Sequence, residues 1–181
     1  MKNELMIDIE TTGQNPGCKV LSIGAAGFNM RREYVEFYRR FDHSKMGEAG
    51  LIDEEDTVNW WATQSETARA EAFGGKDDPA EGIRDFKLWF YENFSTDRYD
   101  DFRVWCCGPD FDFPILKEFS RRFGFKFPWN FWTQFDYRTV KNIFPEIKNA
   151  EKNTGKHTAL EDAKAQLRGL RAFYELIEKV A

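Results

Sequence analysis

Long hydrophobic runs are missing from this sequence. No apolar stretch approaches the roughly 18 residues of a membrane-spanning helix, and the first hydrophobic stretch is interrupted by Asp8 and Glu10. The start of the chain therefore does not show the uninterrupted apolar segment that is typical of a secretion signal. We expect a cytoplasmic protein that does not use a membrane.

Cysteine is scarce, and no CxxC pair occurs. The 3 cysteines are odd in number, and Cys106 and Cys107 are adjacent, which disfavours a disulfide framework and predicts free thiols. A zinc site would have to combine these two cysteines with His43 and His157. Their spacing lacks the regularity of zinc-binding motifs, so we do not expect zinc.

A basic excess is also missing, because Lys and Arg number 26, Asp and Glu number 31, and the formal net charge is -5. A protein that coats long nucleic acid usually has a strong positive excess. The aromatic share is high at 17%, and aromatic rings serve both as core residues and as surfaces on which bases stack. Basic pairs are scattered, and we expect most of them on solvated faces: Arg31 and Arg32, Arg39 and Arg40, and Arg121 and Arg122.

The hydrophobic pattern predicts one α/β domain over residues 1–181. The first strands are spaced as in a three-stranded antiparallel meander, and later strands alternate with helices, which indicates a mixed sheet with parallel strands and with helices on both faces. The predicted strands cover 5–9, 20–28, 33–41 and 104–107, with a strand end running into a helix over 135–140. The predicted helices cover 53–71 with Asp53 as N-cap, 80–94, 111–123 with Gly124 just beyond, and 158–180.

Asp8 and Glu10 are two residues apart on the first predicted strand, so both side chains point to the same face. Buried carboxylates must be paired, protonated or bound to a metal ion. The alternative is an edge strand whose acids face water. Exposure is disfavoured by the flanking apolar residues Met6, Ile7 and Ile9.

Further acids stand at two later junctions. Asp112 follows a short strand and Gly108-Pro109, at the place where α/β sheets bind ligands. The alternative is an acid that is stabilised by the partial positive charge of the helix N-terminus. Asp110 lies nearer the expected helix start, so we assign capping to Asp110 and metal binding to Asp112.

His157 and Asp162 flank the start of the last predicted helix. Thr158 and Glu161 fit a capping box, which places His157 just outside the helix and Asp162 one turn inside it. A histidine at this position could swing over a metal site held by the helix. The alternative is a surface histidine beside an ordinary helix acid.

These residues form an ordered pattern of D-x-E, a later Asp, and H-x-x-x-x-D. Over most of the chain, the pattern resembles the DEDDh exonucleases of the RNase H-like superfamily, which include polymerase proofreading subunits, RNase T and oligoribonuclease. The matching motifs are Asp8-Ile9-Glu10-Thr11-Thr12-Gly13, Phe111-Asp112 and His157-Thr158-Ala159-Leu160-Glu161-Asp162. Other motifs are similar to a phage and bacterial branch with a mycobacterial exoribonuclease and exonuclease VIII-like proteins: Val58-Asn59-Trp60-Trp61, Gln64-Ser65 and Asp136-Tyr137-Arg138-Thr139.

The resemblance implies a 3′-5′ exonuclease of RNase H-like fold that holds two Mg²⁺ or Mn²⁺ ions. It implies that the ligands are Asp8, Glu10, Asp112 and Asp162, with His157 as general base. Carboxylate oxygens suit hard cations, and a paired-ion site suits phosphoryl displacement. The expected substrate is single-stranded DNA or RNA with a free 3′ end, which would be released as nucleoside 5′-monophosphates. A homodimer is possible, and no residue identifies a partner for the 2′-hydroxyl that marks RNA.

Several residues near the predicted metal site are candidates for substrate binding, each with a structural alternative. A turn after the first strand could meet the terminal nucleotide, or it could be a plain turn. Adjacent tryptophans on a helix point in different directions, so one could stack on a base while the other is in the core. The candidates are Thr11, Thr12, Gly13, Trp60, Trp61, Gln64 and Arg138. An inactive binding module on the same fold is disfavoured, because all the acids and His157 are present.

Overall fold

A five-stranded mixed sheet organises the chain in the computed structural model, which describes residues 3–94, 102–152 and 158–179. The strand order is β3-β2-β1-β4-β5. The first three strands pair antiparallel, and β1–β4 and β4–β5 pair parallel, as the sequence predicts. The strands are β1 Asn3–Thr11, β2 Val20–Phe28, β3 Tyr34–Arg40, β4 Phe102–Cys106 and β5 Gln134–Asp136.

Helices cover both faces of the sheet, which confirms the predicted α/β arrangement. None of the helices in the described ranges is long and apolar enough to cross a membrane. The α-helices are α1 Glu55–Ala62, α2 Glu66–Phe73, α3 Pro79–Phe94, α4 Asp112–Arg122, α5 Tyr137–Ile143 and α6 Ala159–Glu178. Short 3-10 helices cover His43–Ala49, Phe131–Thr133 and Pro145–Ala150.

The side-chain alternation of β1 divides the core into two layers. Leu5, Ile7 and Ile9 pack into the layer that contains residues of α3 and α4. Met6 packs into the opposite layer, with residues of α6. Asp8 and Glu10 continue the register of Met6, because successive side chains of a strand point to opposite faces. Both acids therefore belong to the face that α6 covers.

The predicted helix over 53–71 is in fact two helices. The chain turns between α1 and α2, and the Ser65 side chain caps α2 by accepting a hydrogen bond from the backbone N–H of Ala68. Serine at this position competes for backbone hydrogen bonds and so favours a helix start over a helix interior. No proline or glycine marks the break between Ala62 and Glu66, which explains why it was not apparent in the sequence.

The prediction that Asp53 caps this segment is wrong. Glu54 occupies the N-cap of α1 and makes no side-chain capping bond. Asp53 instead accepts a hydrogen bond from Lys19 at 2.8 Å and lies 2.8 Å from Nε2 of His43. A charge-assisted bond is stronger than a neutral one, and these long-range partners take the carboxylate away from the helix.

The predicted ends of α4 and α6 are close to those observed. Gly124 has a φ of 77° two residues beyond α4, a left-handed conformation that favours glycine. Thr158 is the N-cap of α6, and its side chain accepts a hydrogen bond from the backbone N–H of Glu161, as the capping box predicts.

The start of α6 lies directly against β2. Gly24 pairs with Asp8 in the β1–β2 ladder. A Cβ atom at Gly24 would overlap the backbone of Ala159 and Leu160 in the first turn of α6. The missing side chain at Gly24 thus lets this turn reach the sheet beside Asp8.

We predict that Gly24→Ala lowers the melting temperature, because the added Cβ pushes the first turn of α6 away from β2. Overpacking a close contact costs about 1–3 kcal/mol, which corresponds to about 2–4 °C per kcal/mol in a chain of this size. Thermal denaturation measures the effect. Gly47→Ala is the control, because a Cβ there meets no atom within 4 Å. Equal melting temperatures for the two variants would contradict the close contact.

Candidate active site

The side chains of Asp8, Glu10 and Asp162 converge at the carboxyl-terminal half of β1. One carboxylate oxygen from each lies within 4.8 Å of the others. The strand presents Asp8 and Glu10 to the same face, and the close approach at Gly24 brings the first turn of α6, which carries Asp162, onto them. The structure therefore brings together three of the four acids predicted as metal ligands.

Asp112 lies beside this group, but it is not one of the three acids whose carboxylate oxygens all lie within 4.8 Å of one another. It is the first residue of α4 and only 4% exposed. Its carboxylate accepts hydrogen bonds from the thiol of Cys106 and from the backbone N–H of Ile9. Burial raises the pKa of the Cys106 thiol, which keeps it protonated as a donor. These bonds fix Asp112 next to β1.

The prediction that Asp110 caps α4 is wrong. Phe111 is the N-cap of that helix, and no side chain makes a capping hydrogen bond there. The turn after β4 is closed by backbone bonds instead, since the N–H groups of Phe111 and Asp112 both point to the carbonyl of Gly108. Asp110 is exposed.

Crowding of the acids raises their affinity for protons. Burial, then the charges of Asp162 and Asp112, raise the pKa of Glu10 to about 8. Burial, then the charges of Asp112, Glu10 and Asp162, raise the pKa of Asp8 well above its usual value. Burial also raises the pKa of Asp112, although its hydrogen bond from Cys106 and the charge of Arg138 oppose this.

This donor set fits hard divalent cations. Carboxylate oxygens are the ligands that Mg²⁺ and Mn²⁺ prefer, and the mutual repulsion of the acids is the cost that a bound cation would remove. The free thiols and histidines do not form such a group in the described part of the chain: Cys18 and Cys106 are buried, and His43 lies against Asp53.

Gln166 is a residue of this site that the sequence analysis missed. Its side-chain amide donates a hydrogen bond of 2.9 Å to Asp8 Oδ1, and its own Oε1 is buried without a partner among the described residues. Gln166 is four residues after Asp162, so the two lie on the same face of α6. That spacing is the signal that could have identified it.

His157 lies outside the described residues. The described chain resumes at Thr158, whose capping bond starts α6. The proposed base therefore directly precedes the residue that fixes the start of the helix carrying Asp162.

A cleft of about 630 Å³ opens beside the acids, and Glu10 forms part of its wall. Trp60 and Trp61 both line it, and they diverge as predicted, with 53% of Trp60 exposed and 4% of Trp61. The indole N–H of Trp61 donates a hydrogen bond of 2.8 Å to the carbonyl of Thr11. Trp61 thus ties α1 to the end of β1 and leaves Trp60 in the cleft.

The predicted turn after β1 contributes unevenly to the cleft. Thr11 and Gly13 line it, whereas Thr12 is fully buried and its backbone N–H bonds the carbonyl of Lys19. A Cβ at Gly13 would lie 2.6 Å from Cδ of Glu54. The glycine is therefore needed for packing against Glu54, a reason that the sequence did not reveal.

Glu54 holds this turn in place and was also missed. Its carboxylate accepts hydrogen bonds from the backbone N–H groups of Gln14 and Asn15, at 3.0 and 3.1 Å. Asp56 and Thr57, which follow on α1, line the cleft as well. Gln64 is absent from the lining residues, and its side-chain amide bonds the carbonyl of Trp60 at 3.3 Å.

Arg138 also lines the cleft. Its guanidinium donates a hydrogen bond of 2.6 Å to the carbonyl of Cys107, and its charge acts on Asp112. Asp136 caps the helix below it by accepting bonds from the N–H groups of Arg138 and Thr139. The guanidinium is therefore held at the end of β5 and remains exposed.

A family model described as the 3′-5′ exoribonuclease Rv2179c-like domain matches residues 3–174. The chain belongs to this family. The matched residues begin with β1 and end inside α6, so they include Asp8, Glu10, Asp112 and Asp162. The exonuclease resemblance inferred from the sequence motifs is thereby confirmed.

One relative in sequence and a set of structures similar in fold accompany the family match. The exodeoxyribonuclease of Enterobacteria phage T4 is 28% identical over 162 residues, which cover 75% of this chain and 69% of the relative. Crystal structures of E. coli exonuclease I in complex with a dT13 oligonucleotide and with a 5cy-dA13 oligonucleotide match with TM-scores of 0.64, at 13% and 12% identity. These matches cover 98% of this chain and less than half of exonuclease I, 44% and 43%, and they confirm the RNase H-like fold.

We predict that this chain, when no metal is bound, loses stability as the pH rises from about 5 to about 8. Because the folded-state pKa of Glu10 is raised to about 8, the folded chain binds more protons than the unfolded chain over this window, and stability falls until the folded state has ionised. Glu10→Gln should therefore melt higher than the original chain near pH 8 in EDTA, with a smaller difference near pH 5.

Thermal melting across this pH range measures the effect, and Glu48→Gln, at an exposed position, is the control. Saturating Mn²⁺ near pH 8 should raise the melting temperature of the original chain more than that of Glu10→Gln. Identical pH profiles for the original chain and Glu10→Gln would show that the acids do not repel each other in the fold.

Proposed function

We propose that this chain is a single exonuclease domain that hydrolyses phosphodiester bonds from the 3′ end of single-stranded nucleic acid. The products would be nucleoside 5′-monophosphates. The observation that carries the proposal is the convergence of Asp8, Glu10 and Asp162 within 4.8 Å in a chain of an exonuclease family. The adjacent cleft is large enough for a terminal nucleotide, since ligand pockets usually have about 300–1,000 Å³.

In the proposed site, Asp8, Glu10, Asp112 and Asp162 hold two Mg²⁺ or Mn²⁺ ions. When bound, such a pair of ions stabilises both the attacking and the leaving oxygen of an in-line displacement at phosphorus. Gln166 orients Asp8 through the 2.9 Å hydrogen bond to Oδ1. The other carboxylate oxygen of Asp8 is then left to bind a metal ion. Cys106 and the Ile9 N–H orient Asp112 in the same way.

His157 supplies the base in this proposal. One imidazole nitrogen takes a proton from the attacking water, a role that histidine fills more often than other side chains in general-base catalysis. Its place directly before the N-cap Thr158 supports the assignment, because the capping bond to Glu161 fixes the chain on the helix side of the histidine.

The cleft residues bind the terminal nucleotides. Trp60 offers an exposed indole face on which a base can stack, and such stacking contributes about 1–3 kcal/mol per base. Thr11 and Gly13 form the facing turn, and the Arg138 guanidinium can bind a phosphate. A base held between such surfaces must be unpaired, and the related exonuclease I structures were solved with dT13 and dA13 oligonucleotides.

Both sugar types are represented among the relatives, since the family is described as exoribonucleases and the phage T4 relative as an exodeoxyribonuclease. We accordingly propose single-stranded DNA or RNA as the substrate class. The net charge of -5 gives little attraction for long duplexes, whose binding depends largely on neutralising phosphates.

We predict that metal ligands and the base differ in how their loss affects the enzyme. Asp8→Asn and Asp162→Asn should abolish hydrolysis and weaken Mn²⁺ binding, because each removes a ligand charge. His157→Ala should lower turnover by about 10²–10⁴-fold, the usual contribution of general-base catalysis, and leave Mn²⁺ affinity unchanged. Single-turnover hydrolysis and calorimetric Mn²⁺ titration measure the two effects.

Glu48→Gln, which removes an exposed acid away from the site, is the matched control and should retain both properties. Near-normal hydrolysis by Asp8→Asn or Asp162→Asn at saturating Mg²⁺ would overturn the proposed function. Weakened Mn²⁺ binding with normal turnover in His157→Ala would make the histidine a ligand instead of a base.

A further inference from the structure

A second groove, here called the α4 groove, lies on the other side of the turn that leads from β4 to α4. Its volume is about 640 Å³, similar to the 630 Å³ of the catalytic cleft. One wall is the outer face of α4, with Pro114, Lys117 and Arg121, and the other is the following loop, which includes Lys126 and Phe131.

The α4 groove and the catalytic cleft meet at consecutive residues. Asp110 lines the groove, and the next residue, Phe111, lines the cleft. A strand whose 3′ end lies in the cleft therefore needs to cross only this turn to enter the groove. The groove extends along α4, which is about 16 Å long for its 11 residues.

The groove carries positive charge in a chain whose net charge is -5. Lys117 and Arg121 are four residues apart and share one face of α4, and Lys126 is exposed on the loop. The acid that lines the groove is Asp110, at the end nearest the cleft. Glu118 lies on α4 as well, and both Arg121 and Arg122 bind its carboxylate, at 2.7 and 2.6 Å.

Aromatic rings complete the groove and are fixed by the core. The ring of Phe127 packs 4.3 Å from that of Trp129, which is 94% buried among Phe90 and Phe113. Phe131, at the rim, is 77% exposed. Its ring packs edge-to-face against that of Trp132, which is 52% exposed, so the two rings form one exposed apolar surface. Contiguous exposed apolar surface is typical of interaction sites.

We propose that the α4 groove binds the part of the single strand that lies 5′ of the nucleotides in the catalytic cleft. Lys117 and Lys126 contact phosphates, and Phe131 stacks on a base. This combination of a positive groove and aromatic platforms is how proteins bind single strands without sequence preference. The inference rests on the proposed function, because it extends the same substrate beyond the cleft.

The test compares a dinucleotide with a single strand of about 12 nucleotides, a length within the usual span of single-strand sites. In Lys117→Gln/Lys126→Gln/Phe131→Ala, KM for the long strand should rise by at least about 5- to 150-fold, which is the effect of losing one stacked base, because two phosphate contacts are lost as well. Turnover of the long strand and hydrolysis of the dinucleotide should stay unchanged. All three substituted positions are exposed, so the fold should be retained.

Binding of the labelled long strand in EDTA gives a readout that does not need hydrolysis. Removing the two lysines should reduce the slope of log affinity against log salt by about 1.4, since each phosphate contact on a single strand contributes about 0.7. The matched control is Ile143→Ala/Lys148→Gln/Lys179→Gln. These three exposed positions lie on α5, on the 3-10 helix Pro145–Ala150 and just after α6. The control should change neither KM nor the salt slope.

Unchanged KM, unchanged binding and an unchanged salt slope in the triple variant would overturn the proposal. A loss of dinucleotide hydrolysis in a folded triple variant would also overturn it, because the groove would then belong to the catalytic site. If the original chain hydrolyses neither substrate, the proposed function fails. Binding of the labelled strand in EDTA, compared between the original chain and the triple variant, then tests the groove separately.

Discussion

The close packing of α6 on β2 at Gly24 determines where the acidic side chains meet. Gly24 pairs with Asp8, and the backbone of Ala159 and Leu160 fills the space that a side chain would need. Asp162 is thereby brought to within 4.8 Å of Asp8 and Glu10. The core layers on both sides of β1 then supply the stability that keeps these mutually repelling carboxylates together.

Neutral side chains and backbone groups keep the acids oriented. The Gln166 amide donates a hydrogen bond to Asp8, and the Ile9 N–H donates one to Asp112. Because none of these donors carries a positive charge, the acids retain their attraction for cations. The guanidinium of Arg138 is bound to a backbone carbonyl, and its charge lowers the pKa of Asp112.

Residues whose roles follow from local spacing could be predicted from the sequence. The period of β1 placed Asp8 and Glu10 on one face, and the capping box placed Thr158 at the start of α6. Contacts between distant segments could not be predicted in this way. Gln166, Glu54 and the packing requirement at Gly13 depend on partners 39 to 158 residues away, and the assignments of Asp53 and Asp110 as caps failed because other bonds in the fold replaced them.

The most direct test of a metal-dependent 3′-5′ exonuclease follows a single strand labelled at its 5′ end and the same strand closed into a circle. With Mg²⁺ or Mn²⁺, the labelled linear strand should shorten one nucleotide at a time while keeping its label, and EDTA should stop the reaction. The circle should stay intact. Cleavage of the circle, immediate release of the 5′ label as a mononucleotide, or equal hydrolysis in EDTA would contradict the account.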